Sequence, residues 1–172
     1  MPMSSAEGKS WIRDRVFALA ADGPVSVLDI GPGVGTYAKL LAGPSVHRIV
    51  GVEVWQPYVE TYRLHELYDD IVLGDVRGVD LPAADVVILG DVAEHMSGDE
   101  ARDLWARCAD AAMRAVYLSI PIVHYPQHEI EGNPYEVHVE KNWDHDRVLA
   151  RFDGIGASWV GTEVGVYERL VG

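Results

Sequence analysis

One stretch constrains this chain more than any other: Val25-Ser26-Val27-Leu28-Asp29-Ile30, followed at once by Gly31-Pro32-Gly33-Val34-Gly35. The first part is short, β-branched and apolar on both faces, which suits a strand buried on both sides. The glycines permit a sharp turn and let backbone approach a ligand without a Cβ in the way. Thr36 to Leu41 then reads as the helix that the turn opens. Strand, glycine turn and helix form the opening unit of a parallel α/β sheet. Such sheets bind their ligands at the C-terminal ends of the strands. The same turn could also serve as a tight connection with no ligand.

The rest of the chain repeats the alternation. Ser4 and Glu7 match a capping box before a helix whose apolar face is Ile12, Val16, Leu19 and Ala20. Asp22-Gly23-Pro24 ends it. Further strands are expected at Ile49–Val54, Ile71–Leu73, Val86–Leu89 and Ala115–Ile120, with a helix over Tyr58–Leu67. A second capping box, Ser97 with Glu100, opens a helix with Ala101, Leu104, Trp105, Cys108 and Ala112 on its inner face. A helix near Trp143–Phe152 should turn Val148, Leu149 and Phe152 inward. Ile155–Val160 and Glu163–Leu170 read as a final hairpin. Residues 122–141 show no period. A loop of that length is usually functional, and its His, Tyr, Glu and Asn content points to a lid over a small-molecule acceptor. The 172 residues fit one domain, with residues 1–24 as an N-terminal helix over the cleft.

Composition narrows the function. Acids exceed Lys and Arg by 27 to 14, a formal charge of −13. Such a chain should repel a phosphate backbone, so nucleic acid and anionic membranes are not expected partners. The lone Cys108 forms no internal disulfide and suits a reducing compartment. No apolar run approaches the roughly 20 residues of a membrane span, and the first residues lack a signal-peptide layout. A cytoplasmic monomer or homodimer is expected.

The glycine turn departs from the dinucleotide pattern G-x-G-x-x-G, because Gly35 falls one residue early and Thr36 takes the third position. With Asp29 in front, D-x-G-x-G-x-G resembles the first motif of class I S-adenosylmethionine (SAM)-dependent methyltransferases. Further residues follow in that family's order. Glu53-Val54 ends the second strand, Gly74-Asp75-Val76 follows the third, and Gly90-Asp91-Val92-Ala93-Glu94-His95 follows the fourth. The resemblance implies an α/β fold: one doubly wound, seven-stranded Rossmann-like sheet of order 3-2-1-4-5-7-6, its last strand antiparallel, with helices on both faces. It also implies that Asp29, Gly31, Pro32, Gly33, Gly35, Gly90 and Asp91 surround the methionine and ribose parts of SAM. Glu53 would accept from the ribose hydroxyls, Val54 would pack on adenine, and Asp75 and Val76 would bind its amino edge. Each acid alone is an ordinary strand-end turn residue. Four on successive strand ends of one sheet edge are harder to explain without a ligand.

The histidines address the other substrate. A base working near neutral pH is a natural histidine role, and His95, His124 and His138 are the candidates, with His95 first. His124, His128 and His138 with Glu129, Glu131 and Glu136 could also hold a metal, but Pro126 breaks the helical spacing such a set would need, and no metal is assigned. The aromatic residues read as packing, and Cys108 as a small buried hydrophobe. Lys9 and Trp11 could face the cleft or solvent. The sequence therefore predicts SAM-dependent methyl transfer to a small or medium-sized acceptor, at oxygen or nitrogen. A SAM- or nucleoside-binding regulatory protein, and a nicotinamide-dependent oxidoreductase, are the alternatives.

Overall fold

The computed structural model describes residues 5–172. The chain runs α1 (Lys9–Leu19), β1 (Val25–Ile30), α2 (Thr36–Leu40), β2 (Val46–Glu53), α3 (Gln56–Thr61), β3 (Asp70–Leu73) and β4 (Ala84–Gly90). It continues through α4 (Gly98–Ala111), β5 (Ala112–Pro121), α5 (His145–Arg151), β6 (Ala157–Val160) and β7 (Val164–Leu170). The seven strands form one sheet in the order β3-β2-β1-β4-β5-β7-β6. β1 to β5 are parallel, and β7 runs antiparallel to both β5 and β6. β1 lies between β2 and β4, so the strand order reverses beside it. A crevice opens at that switch point.

The central strands β1, β4 and β5 are buried on both faces because each face meets its own helices, whereas the edge strands β3 and β6 are more exposed. On one side Leu28, Ile30, Val87, Leu89, Val116 and Leu118 pack against Leu104, Trp105 and Cys108 of α4 and Val148 of α5. On the other, Val27, Val86, Ile88, Ala115 and Tyr117 meet Ile12 and Val16 of α1, Tyr37 and Leu41 near α2, and Val59 of α3. This explains the near-continuous apolar runs in the sequence. No helix among the described residues is long and apolar enough to cross a membrane.

Local differences from the sequence reading have physical causes. Ser4 lies outside the described residues; α1 starts after Gly8, and the Glu7 carboxylate accepts instead from the Glu163 and Val164 amides at 2.9 and 3.0 Å. The box at Ser97 and Glu100 forms as expected. The helix expected over Tyr58–Leu67 breaks at Arg63, whose φ of 54° is left-handed, and one 3₁₀ turn follows. Leu149 is 43% exposed. The inner face of α5 is Val148, continued by Phe152, which stacks on Trp143 at 5.5 Å. β2 starts earlier than expected because its first residues, His47 and Arg48, are exposed and polar.

Candidate functional site

The crevice at the strand ends encloses a cavity of about 390 Å³. Its floor and one wall are Ile30 to Val34, Glu53, Val54, the Gly74–Arg77 turn and the Gly90–Val92 turn. The opposite wall comes from Glu94, His95, Met96 and loop residues Tyr125, Gln127, Asn133, Tyr135, Glu136 and His138.

The glycines of the first turn have different tasks. A Cβ on Gly31 would meet Val92 at 2.5 Å, and one on Gly35 would meet Leu67 at 2.5 Å. Those two are glycine because protein packs against them. A Cβ on Gly33 would meet only the Gly31 carbonyl, at 4.0 Å, although its φ is +52°. Gly33 is thus the position whose bareness is left to a ligand, and the turn fits a cofactor laid against backbone. Gly35 begins α2 and does not line the cavity.

Asp29 does not line it either. The side chain is fully buried beneath the turn, where Oδ2 accepts from the Tyr68 hydroxyl at 2.6 Å. Gly51, beside Asp29 on β2, is bare because a Cβ there would stand 2.8 Å from Ile71 and from Pro32 and 3.3 Å from the Tyr68 ring. Burial pushes the Asp29 carboxyl up to about 7. In this structure Asp29 anchors the base of the turn.

Glu53 ends β2 inside the cavity and is 4% exposed. Burial raises its pKa, while backbone N–H groups, first that of Trp55 at 2.8 Å and then that of Gly33, oppose the rise. Asp75 and Val76 line the cavity, but both Asp75 oxygens accept from the Arg77 guanidinium, which holds the carboxyl below its ordinary value. Gly90 brings backbone close to the Tyr37 ring, 2.5 Å from where a Cβ would lie. Asp91 follows in a left-handed conformation, φ 58°. Its Oδ1 accepts from Ser119 at 2.7 Å and its Oδ2 pairs with Lys9 Nζ at 3.0 Å. Lys9 is 7% exposed, so α1 supplies a buried cation to the cavity, in addition to Arg77 at its edge. Trp11 instead packs edge-on against Tyr117.

Two of the three candidate histidines reach the cavity. The His95 and His138 rings lie 4.8 Å apart, nearly perpendicular. Burial, then proximity to His138, lowers the His95 pKa to about 4, and burial lowers that of His138. A base as weak as His95 is poorly matched to neutral pH. His124 is a correction. It is exposed, bonds Asn142 at 2.8 Å and lies off the cavity, because residues alternate as the chain leaves β5: Pro121, Val123 and Tyr125 line the cavity, and His124 falls between them on the other side. His128 is exposed and also off the cavity. The cluster that does form is Glu94, His95 and His138, whose ligand atoms all lie within 4.8 Å of one another.

Residues 122–141 fold back on themselves and dock on the turn after β4. Tyr125 N–H donates to the Lys141 carbonyl at 3.1 Å, and His138 N–H to that of Gln127 at 3.2 Å. Val139 and Glu140 N–H groups both donate to the Glu94 carbonyl, at 2.9 and 3.2 Å. The loop tip brings Tyr135 to 6.4 Å from the Trp55 ring, above the end of β2. The sequence left Lys9 open between cleft and solvent and gave no role to Tyr125, Gln127, Asn133 or Tyr135 of the loop. Only the loop's polar, aromatic composition pointed to its face.

Residues 28–117 match the family model of a methyltransferase domain, more than half of the chain. The chain belongs to that family and is a SAM-dependent methyltransferase of class I. A search of curated proteins finds no match. Solved structures show the same fold. A SAM-dependent methyltransferase from Clostridium acetobutylicum superposes with a TM-score of 0.72 at 12% identity, over 99% of this chain and 93% of that one. The N-terminal domain of EvdMO1 with S-adenosylhomocysteine (SAH) bound gives 0.67 at 18% identity, over 98% and 82%. Magnesium protoporphyrin IX methyltransferase from Synechocystis with bound SAM gives 0.64 at 18% identity, over 100% and 87%.

Proposed function

We propose that this chain, acting as one domain, methylates an oxygen or nitrogen of a small acceptor held between the strand ends and the 122–141 loop. The observation that carries this reading is the shared cavity: the glycine turn forms one wall and the polar face of the loop the other. In the reading, Gly31, Pro32, Gly33, Glu53, Val54, Asp75, Val76, Gly90 and Asp91 hold the cofactor. The acceptor lies against His95, His138 and the Tyr125–Gln127 segment of the loop.

Bound SAM supplies a methyl group already activated on a sulfonium sulfur. The protein's part is alignment and exclusion of water, and alignment alone can lower a barrier by roughly 7–11 kcal/mol in favourable cases. Lys9 and Asp91 neutralise each other at 3.0 Å, so they offer fixed polar partners without a net charge. His95, neutral and with Nδ1 against the Val137 carbonyl at 3.3 Å, serves to orient the acceptor rather than to take its proton. Asp75 and Asp91 are paired with Arg77 and Lys9; of the remaining lining acids, Glu53 and Glu136 disfavour an anionic acceptor. The EvdMO1 domain was crystallised with SAH and D-fucose, and another similar structure is a mitomycin 7-O-methyltransferase. Those names support oxygen first.

Titrating the protein with SAH and then running a panel of neutral hydroxyl and amine acceptors with SAM, read by mass spectrometry, tests this. The reading expects SAH binding and a gain of one methyl on a neutral acceptor, reduced by His95→Gln. Methylation only of large polymers or of anionic acceptors would contradict it.

A further inference from the structure

Glu94 is the least explained group in the molecule. Its side chain is 2% exposed, it borders the cavity, and its Oε2 has no hydrogen-bond partner among the described residues. Burial pushes its carboxyl well above the ordinary value, so it holds its proton unless a cation meets it, and even as an acid its Oε2 is left without a partner. The nearby cation, Lys9, is already committed to Asp91 at 3.0 Å. The neighbours that remain are two histidines.

Both imidazoles are preset in the same way. His138 Nδ1 lies 2.7 Å from the Tyr125 carbonyl, and His95 Nδ1 lies 3.3 Å from the Val137 carbonyl. A carbonyl can only accept, so Nδ1 carries the proton in each ring; this leaves the lone pair on Nε2 of His138, while the His95 ring also lies against the Asp91 backbone. Metal-binding histidines are oriented in this manner, with the far nitrogen donating to a backbone carbonyl. One carboxylate and two imidazoles, with ligand atoms within 4.8 Å of one another, converge from two elements. An ion about 2.0–2.2 Å from each ligand draws them closer than that. The backbone is fixed in advance, because Val139 and Glu140 donate to the Glu94 carbonyl and hold His138 beside His95.

We propose that Glu94, His95 and His138 bind a divalent first-row transition ion, such as Zn²⁺, Co²⁺ or Mn²⁺, which presents an open coordination position to the methyl acceptor. Mixed imidazole and carboxylate ligands suit these ions better than Mg²⁺ or Ca²⁺, which favour all-oxygen sets. Three protein ligands leave room for another, as in catalytic metal sites. The inference rests on the methyl-transfer reading and sharpens it: the acceptor would be a hydroxyl that coordinates the ion and becomes more acidic. Its proton leaves to solvent, an oxygen lone pair forms the bond to the methyl carbon, and the carbon–sulfur pair goes to sulfur, giving SAH.

The test uses the full chain, stripped with a chelator and dialysed. Co²⁺ is titrated by visible absorption and Zn²⁺ by calorimetry, with SAH titrated in parallel. One equivalent is expected to bind, with the Co²⁺ bands of a nitrogen- and oxygen-ligated ion. Glu94→Gln and His138→Gln should each weaken binding on the order of a hundredfold, and the exposed His47→Ala should leave it unchanged. If either variant misfolds by circular dichroism, the imidazole ¹⁵N signals of the wild type decide: Zn²⁺ should shift the Nε2 resonances of two histidines. A folded wild type without saturable one-to-one binding would overturn the site, as would variants that keep affinity within threefold. SAH binding without metal binding removes the ion and leaves methyl transfer standing. Metal binding without SAH binding supports the ion site and removes the transfer reading.

Discussion

The two walls of the cavity are built by different means. The strand-end wall is local: each of its residues lies within a turn that begins where a strand stops, and the parallel sheet lines those turns up. The loop wall is assembled over distance. His138 is held beside His95 by bonds between distant residues, among them two N–H groups of Val139 and Glu140 donated to the Glu94 carbonyl. Short-range chemistry specifies the first wall, while the second needs the whole fold to be closed around it. The same difference separates what tolerates no change from what tolerates some.

The largest expected effect is at the strand-end wall. Gly33→Val puts a branched side chain at φ +52° in the direction of the cavity. SAH affinity should fall by more than about a hundredfold, a loss of roughly 2.7 kcal/mol or more, with the circular dichroism spectrum close to wild type. Calorimetry showing affinity within a few-fold would mean the turn does not hold the cofactor.

Glu53→Ala comes next. A carboxylate accepting hydroxyl hydrogen bonds is worth about 1.5–3 kcal/mol, so SAH should bind about tenfold to a hundredfold more weakly. An unchanged titration would reduce Glu53 to a strand-end residue that accepts from the Trp55 amide.

The first wall was legible from single residues. Asp29, Glu53, Asp75 and Asp91 fall at strand ends, and the glycine spacing separates this turn from the dinucleotide one. Yet type did not reveal task. Asp29 has the expected identity but lies under the turn with Tyr68, and Asp75 spends its oxygens on Arg77. Burial and partner choice depend on residues far along the chain, which no local pattern carries. The loop shows this more strongly. His124 and His138 look alike in sequence, but one is exposed and the other is 3% exposed inside the cavity. Hydrogen bonds between residues 125–127 and 138–141 decide which is which. The strand order followed from the family resemblance; the shared burial of β1, β4 and β5 explains why their apolar runs have no alternation.

Asp29 gives a middle-sized effect that tests the buried side of the first wall. Its carboxyl sits near 7 when folded against an ordinary value of 3.8. The folded state therefore binds the proton more tightly than the unfolded chain does. This favours folding fully below about pH 4, and the advantage is lost as pH rises through about 7. Wild type minus Asp29→Asn should lose a few kcal/mol of relative stability between pH 5 and pH 8. Denaturant melts of both proteins across that range check it. A flat difference would mean that the carboxyl is already ionised at pH 5.

The smallest effect is at His124. It bonds only Asn142 at the surface, so His124→Ala should change turnover and SAH affinity by less than about twofold, within the range of a surface substitution. A large loss would return His124 to the acceptor wall.

Hydrogen–deuterium exchange with SAH alone tests the division between the walls most directly. The account predicts strong protection of the amides at 31–36, 53–55 and 90–92, and clearly weaker protection across 122–141 until an acceptor is added. Protection confined to 122–141, or none at 31–36, would contradict the account that the glycine turn and strand ends hold the cofactor and the loop holds its partner.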